Sequence, residues 1–581
     1  MSSGSTAQRR YHTYYLEFAR AHSNAPERVD IEYAQIVRVF GQLRDSDLIL
    51  SFGTALNHYQ MQRGAWSDAL AWCKRAHEVA VTENQWLAAG QFAHTMASLY
   101  LQTGRVNEAG HYFTVSNEIF QRLNNVDGVL AVDIGQGALA LARGDYETVV
   151  EISKTCLELA SSVDMKIRAH VYHNLGMMYH QQGDWQTAIQ QFQSAVDAYR
   201  QIPDHEGTAN SLGGMAIAYQ AMGKWQIATR LQEKALAIWE ELGDLPGVGR
   251  SQNNLGVLHA ARQLWPPALE YYRLAVVTFE TAGDPINRSL ALNNIGEVYR
   301  QQTDFSNALQ YFTSALDIAQ STDSQHVMLR ILNNLSAVYI MQMELVHAKA
   351  YAEQTLELSI RMQNTHAQAS AHQNLGVIAE NQRAWPSAAH HYRQALTIFE
   401  KADSQPNVAQ VWYNLGNVLC EQGSEAEAIS CYKTSCLIFA ELEDAPRHCL
   451  ALYNLAATYE NMGRVIEAVG CYRTCVLQAG LCHNFDITVA VCRRLLLIFG
   501  EQKKWVAAQE VLQGVLANLY LEGHQRGVIL ELLGSSYASH AQWRQAQIVW
   551  KQAVEFLLPD SVEYKHTTRA LGRVRFLTWL G

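Results

Sequence analysis

The chain has 581 residues, is 48% hydrophobic, and carries 45 basic against 55 acidic side chains for a net charge of −10. So large an apolar share excludes a disordered chain, and the acidic balance argues against nucleic acid as a partner, because phosphate binding needs a basic face. No apolar run approaches the roughly 18 residues of a membrane span, so no membrane partner is expected, and ten irregularly spaced cysteines in so long a chain point to reduced thiols and a cytoplasmic setting.

In chain order, the first ten residues, MSSGSTAQRR, lack the apolar stretch of a secretory signal and have the look of a vector-derived tail. Two helices follow, YHTYYLEFARAH at 11–22 and ERVDIEYAQIVRVF at 27–40, out of register with everything after them. Residues 1–44 are therefore expected to form a tail and capping helices.

From residue 45 the chain repeats itself every forty residues or nearly so, and such a period marks a stacked-repeat architecture. The landmark positions are Trp66, Val106, Tyr146, Trp185, Trp225, Trp265, Phe305, Leu345, Trp385, Glu425, Val465, Trp505 and Trp543, thirteen copies of which nine are aromatic. Three residues later stands alanine in every copy but one, Val149, as in Ala188, Ala268 and Ala388. Nine residues before the landmark a second small-residue column holds Gly137, Gly176, Gly256, Gly296, Gly376, Gly416 and Gly534, broken only by Asn57 and Leu496.

Each copy reads as two amphipathic helices, in one case from about Arg168 to Gln182 and from Trp185 to Arg200, with small residues where helices approach closely. Gly256 is expected where the first helix touches the neighbouring copy. Pro266 and Pro267 fall in the first turn of a second helix, where absent N–H groups cost little. Asn124, Asp164, Asp204, Asp244, Asp284, Ser324, Asn364, Ser404, Asp444 and Asn484 recur at the links and are predicted to cap the following helices.

Eight cysteines fall between Cys420 and Cys492, with His448 and His483 near Cys471 and Cys475. Cys475 occupies a column held elsewhere by alanine, such as Ala195, so packing rather than metal binding is expected. No phosphate loop, H-E-x-x-H, G-x-S-x-G or C-x-x-C motif is present. The expectation is a non-enzyme without cofactor, metal or catalytic residues. At the end, Pro559 stops the last repeat, DSVE at 560–563 has capping-box spacing, and Val562, Leu571, Val574 and Leu577 offer an apolar face for a closing helix over 558–581.

The columns resemble the tetratricopeptide repeat, followed in one copy as Leu175-Gly176, Tyr179, Ala188, Phe192 and Ala195, with a period of forty in place of the usual 34 or so. The long copies with NLG and a closing GD also look like the Pins/LGN scaffolds and the repeat arms of bacterial STAND-type regulators. The resemblance implies an all-α, right-handed α-solenoid of about thirteen hairpins over 45–557, closed by caps, whose first helices line a concave groove.

Two residues before the small column stand Asn174, Asn254, Asn294, Asn334, Asn374, Asn414 and Asn454, interrupted at Gly214. The resemblance places this column in the groove, where amides can bind the backbone of an extended segment. The same amides can instead bond to the adjacent copy and set the twist of the stack, and the residues alone leave both open. Asn253, Asn293 and Asn333 precede the column; Arg250, Arg300 and Arg330 give a basic middle, and Glu380, Glu421 and Glu460 an acidic later part. The expected function is a non-catalytic scaffold or adaptor holding a protein or peptide segment; the alternative is the sensor arm of a bacterial regulator answering to a peptide or small effector. The sequence does not indicate an oligomeric state.

Overall fold

The computed structural model describes residues 2–22, 26–62, 66–159, 165–322, 324–362, 364–402, 404–482, 484–518 and 521–580. Among them are 29 helices and no strand. After α1 (Ser2–Ala21) and α2 (Pro26–Gln42), the helices from α3 (Ser46–Gln62) to α28 (Trp543–Phe556) alternate as first and second helices of thirteen hairpins, and α29 (Val562–Leu580) follows. The chain is an all-α repeat solenoid. Contacts divide it into two compact units, Met1–Asn334 and Leu335–Gly581, and the division falls inside α17 (Gln325–Met341).

One hairpin shows how the repeat forms. The first helix, α9 (Met165–Gln181), starts three residues earlier than the periodicity suggests, and the second, α10 (Trp185–Gln201), starts on the landmark. Between them Gly183 takes φ 81°, a left-handed turn that glycine adopts without strain, and Asp184 caps α10 by accepting from the Thr187 N–H. Ala188, Phe192, Ala195 and Tyr199 line one face of α10, each 2% exposed or less. Burying a side chain the size of Phe192 contributes about 1.5–3 kcal/mol, more than the helix ends cost, so the stripe decides the packing.

Gly256 corrects the expectation made for it. A Cβ there would stand 2.6 Å from the ring of Tyr272, which belongs to its own hairpin's second helix, α14 (Trp265–Ala282), and not to the neighbouring repeat. Gly176 against Phe192, Gly296 against Phe312 and Gly376 against Tyr392 repeat the arrangement. In these copies the glycine and the aromatic sixteen residues later are one device, a ring packed on bare backbone, whereas Gly137 has Ser153 at that place and no ring beside it. Pro266 and Pro267 do sit in the first turn of α14.

Six of the predicted link caps form, and three positions need correction. Asp204, Asp244, Asp284, Asn364, Asp444 and Asn484 each accept from the N–H three residues on. Asn124, however, takes φ 51°, and Asn125 is the residue that caps α7 (Val126–Arg143). Ser404 makes no side-chain capping bond. At the last helix Ser561, not Asp560, accepts from the Tyr564 N–H; one residue's shift in the helix start moves the cap with it. Asp164 and His483 lie outside the described residues.

Both ends are covered. Phe40 of α2 stacks on Trp72 of α4 (Trp66–Thr82) with centroids 3.9 Å apart, and Arg75 donates to the Phe40 and Leu43 carbonyls. The polar start of the chain is helical from Ser2 onward rather than a loose tail. On α29, Val574 is buried and Leu571 packs with it against Ala546 and Trp550, whereas Val562 is 78% exposed because it lies in the first turn, before the helix meets α28. Such ends shield the apolar faces that a repeat stack would otherwise leave open.

Candidate peptide-binding face

Through most of both units, consecutive first helices approach one another more closely than consecutive second helices do, the second helices α24 (Val465–Leu481) and α26 (Trp505–Asn518) being an exception. The first helices therefore form the inner side of the stack, and the asparagine column lies on them.

In unit 1, Asn174 sits on α9, Asn253 and Asn254 on α13 (Leu245–Ala261), Asn293 and Asn294 on α15 (Pro285–Gln301), and Asn333 and Asn334 on α17. The column members are half-buried. Asn174 Nδ2 donates to the Ile134 carbonyl at 3.3 Å, Asn294 Nδ2 to Asn253 Oδ1 at 2.9 Å, and Asn334 Nδ2 to Asn293 Oδ1 at 2.9 Å. Each bond joins one first helix to the preceding one. Asn293, expected beside the column, is 3% exposed and turned into the stack by this bond.

Unit 2 carries Asn374 on α19 (Thr365–Asn381), Asn414 on α21 (Gln405–Glu421) and Asn454 on α23 (Ala445–Asn461), again half-buried. Asn454 Nδ2 donates to the Tyr413 hydroxyl at 3.0 Å and to Asn417 Oδ1 at 2.9 Å, while Asn414 Oδ1 accepts from Gln410 Nε2 at 3.0 Å. Tyr432 of α22 (Glu425–Glu441) donates its hydroxyl to the same Asn417 Oδ1 at 2.7 Å. A primary amide has two N–H groups and two acceptor lone pairs, so one bond does not exhaust it.

At Gly214, where the column is interrupted, the backbone lies against a neighbouring ring. A Cβ there would lie 2.6 Å from the Phe192 ring of the preceding repeat, and one at Gly135 would lie 2.3 Å from Phe113.

The charges are partly neutralised in place. Arg300 is paired with Glu297 at 2.5 Å, and Glu460 takes Arg494 at 2.9 Å together with the Tyr472 hydroxyl at 3.2 Å. Arg250 and Arg330 are exposed, Arg250 standing 5.6 Å from the Trp239 ring. Glu421 is exposed, and half-buried Glu380 accepts from the Tyr392 hydroxyl at 2.6 Å. Burial, and to a lesser degree the nearby Glu421 carboxylate, hold the Glu380 carboxyl above the usual carboxylate range despite that bond.

A raised carboxyl favours the neutral form in the folded state. Its contribution to stability is complete below the unfolded value of about 4.3 and is lost as pH rises through the folded value. Glu380→Gln, which keeps an acceptor for Tyr392, is accordingly expected to raise the thermal midpoint at pH 7 and to leave it unchanged near pH 4. Calorimetry at both pH values checks this.

An aromatic feature escaped the sequence reading. His259 and Tyr271, Tyr299 and Tyr311, and Tyr339 and Tyr351 form parallel stacked pairs at 5.5, 5.5 and 5.6 Å, one per repeat. The forty-residue recurrence of Tyr299 and Tyr339 was the available signal, read only as part of the general pattern. Among the described residues, no group of three or more His, Cys, Asp or Glu is arranged to hold a metal ion, and no helix is long and apolar enough to cross a membrane.

The fold is that of a helical-repeat protein. The tetratricopeptide repeat profile matches residues 128–201, 167–231, 207–280, 287–361 and 407–476, and a second profile of the same description matches 374–436. These spans take in more than half of the chain, which belongs to the tetratricopeptide repeat family.

Comparison with curated proteins finds no match. Among solved structures, the chain is similar to the apo form of RapI, at 15% identity and TM-score 0.44, over 61% of this chain and 98% of that one. It is also similar to the apo form of the quorum sensor NprR from B. thuringiensis, at 14% identity and TM-score 0.45, over 62% and 99%. A third likeness is to a Rap protein complexed with competence and sporulation factor, at 14% and 0.41, over 67% and 99%. Values this low carry no statement about activity.

Proposed function

We propose that the inner faces of the two units bind an extended protein or peptide segment without catalysis. The observation that carries this reading is the column of half-buried amides, Asn174, Asn254, Asn294 and Asn334 in unit 1 and Asn374, Asn414 and Asn454 in unit 2, on the first helices. Amide side chains satisfy the donors and acceptors of a peptide backbone whatever its side chains, and the bonds that Asn174, Asn294, Asn334 and Asn454 make to adjacent repeats hold those four amides in fixed orientation, which lowers the ordering cost of binding. Selectivity then comes from the flanking charges: Arg250 and Arg330 favour acidic residues in a bound segment, Glu380 and Glu421 basic ones.

The test is a pull-down comparing the wild type with Asn294→Ala/Asn334→Ala/Asn374→Ala. Recovery of the bound protein is expected to fall at least tenfold, with helicity and thermal midpoint followed in parallel so that loss of fold is separated from loss of binding. Equal recovery by a folded variant assigns the column to stacking alone.

A further inference from the structure

Three thiols meet at one end of a single hairpin. Cys449 lies in the first turns of α23, Cys475 on α24 (Val465–Leu481), and Cys482 at the C-terminal cap of α24. Because the two helices run antiparallel, the start of α23 and the end of α24 lie side by side. Cys449 Sγ stands 4.0 Å from Cys482 Sγ, and Cys475 Sγ donates to the Cys449 carbonyl at 3.3 Å. Cys449 and Cys475 are fully buried, and Cys482 is partly exposed.

Packing accounts for Cys449 and Cys475, which face each other as Ala169 and Ala195 do in an earlier hairpin. Cys482 also packs partly against the core, in a column that other repeats fill with Ile202, Leu242, Ala282, Thr322, Met362, Ala402 and Leu442. A thiol is there only in the hairpin that holds another thiol within reach.

We propose that Cys449 and Cys482 are a dithiol that a small-molecule disulfide oxidises to an intrachain disulfide. Cys482, the one of the pair open to water, attacks as thiolate on one sulfur of the reagent; the reagent's S–S bond breaks, and its first half leaves as a thiolate that takes a proton. Cys449, losing its own proton, then attacks the Cys482 sulfur, forming the protein S–S bond and expelling the second half as a thiol. The protein loses two electrons and two protons, and one reagent disulfide becomes two thiols. The sulfurs must close from 4.0 Å to about 2.05 Å, a movement within reach of a side-chain rotation at a helix end. The bond ties α23 to α24 in the repeat that bears Asn454 and Glu460.

Burial pushes the Cys482 thiol up, and contact with Cys475 together with burial pushes Cys449 up. Thiolate is therefore scarce at neutral pH, and the rate is expected to climb roughly tenfold for each pH unit up to the thiol's own value. The experiment treats the full chain with oxidised glutathione, alkylates the remaining thiols and maps them by mass spectrometry. The wild type and Cys475→Ala are expected to yield the 449–482 cross-link, reversed by dithiothreitol; Cys449→Ser is expected to retain glutathione on Cys482, and Cys482→Ser to give no cross-link. A 449–475 bond, glutathione persisting on Cys482 of the wild type, or Cys482 left unmodified while half-buried Cys471 reacts would each overturn the proposal.

Discussion

Gly376→Val is expected to destabilise unit 2 by about 3 kcal/mol or more, the upper part of the range for forced overpacking. A Cβ at Gly376 would sit 2.5 Å from Cε1 of Tyr392, on α20 (Trp385–Lys401). Tyr392 cannot swing aside, because it is 0% exposed and its hydroxyl is bonded to Glu380 at 2.6 Å. Even Gly376→Ala, which gains about 1 kcal/mol of helix propensity, is expected to come out unfavourable by about 1 kcal/mol. Gly470 on α24 is the control: nothing lies within 4 Å of a Cβ there, so Gly470→Ala is expected to stabilise by up to about 1 kcal/mol. Urea titrations of the three variants give the ordering directly, and a Gly376→Ala protein as stable as Gly470→Ala would refute the close-contact account. Because a repeat stack unfolds in nearest-neighbour fashion, the loss should also appear as a separate early transition.

Acidification is expected to weaken unit 1 through His173. Burial, with His170 adding repulsion, pushes this imidazole down to about 4. Its ring meets Phe192 edge-on with centroids 5.6 Å apart, and Nδ1 lies 3.1 Å from Ser211 Oγ. The sign follows from the neutral form being the one the fold accepts. A histidine lowered in the folded state contributes in full above its unfolded value of about 6.5 and loses that contribution as pH falls toward the folded value. Between pH 6.5 and about 4 the loss is at most roughly 1.4 kcal/mol per pH unit. His173→Gln, which cannot charge, is expected to show a shallower decline over that window and to match the wild type in slope above pH 7. Identical slopes for both proteins from pH 7 to 4 would remove His173 as the cause.

The repeat register was legible because it rests on local chemistry. The landmark aromatics start second helices, Asp204 and its counterparts cap first helices, and alanines such as Ala188 sit wherever two helices leave room for nothing larger. These choices recur in most of the thirteen copies, and recurrence makes weak signals readable in a single sequence. The misplaced caps at Asn124 and Asp560 are errors of one residue, where an acceptor stood on either side of the helix start.

Which residue touches which was not legible. Periodicity identifies the face on which Gly256 lies but not whether its own hairpin or the next repeat fills the gap, and the Tyr272 ring does so only because of how the two axes cross. The amide column likewise showed its position but not its bonds: Asn294 to Asn253 and Asn334 to Asn293 are pairs 41 residues apart, set by the stagger between stacked helices. The sequence by itself thus determined helices, turns, caps and the small-residue seams, since each depends on neighbours within a few positions along the chain. The tertiary structure decided which groups are used up in stacking, as Asn293 and Glu460 are, and which still face outward, because that depends on distances across repeats that no forty-residue pattern encodes.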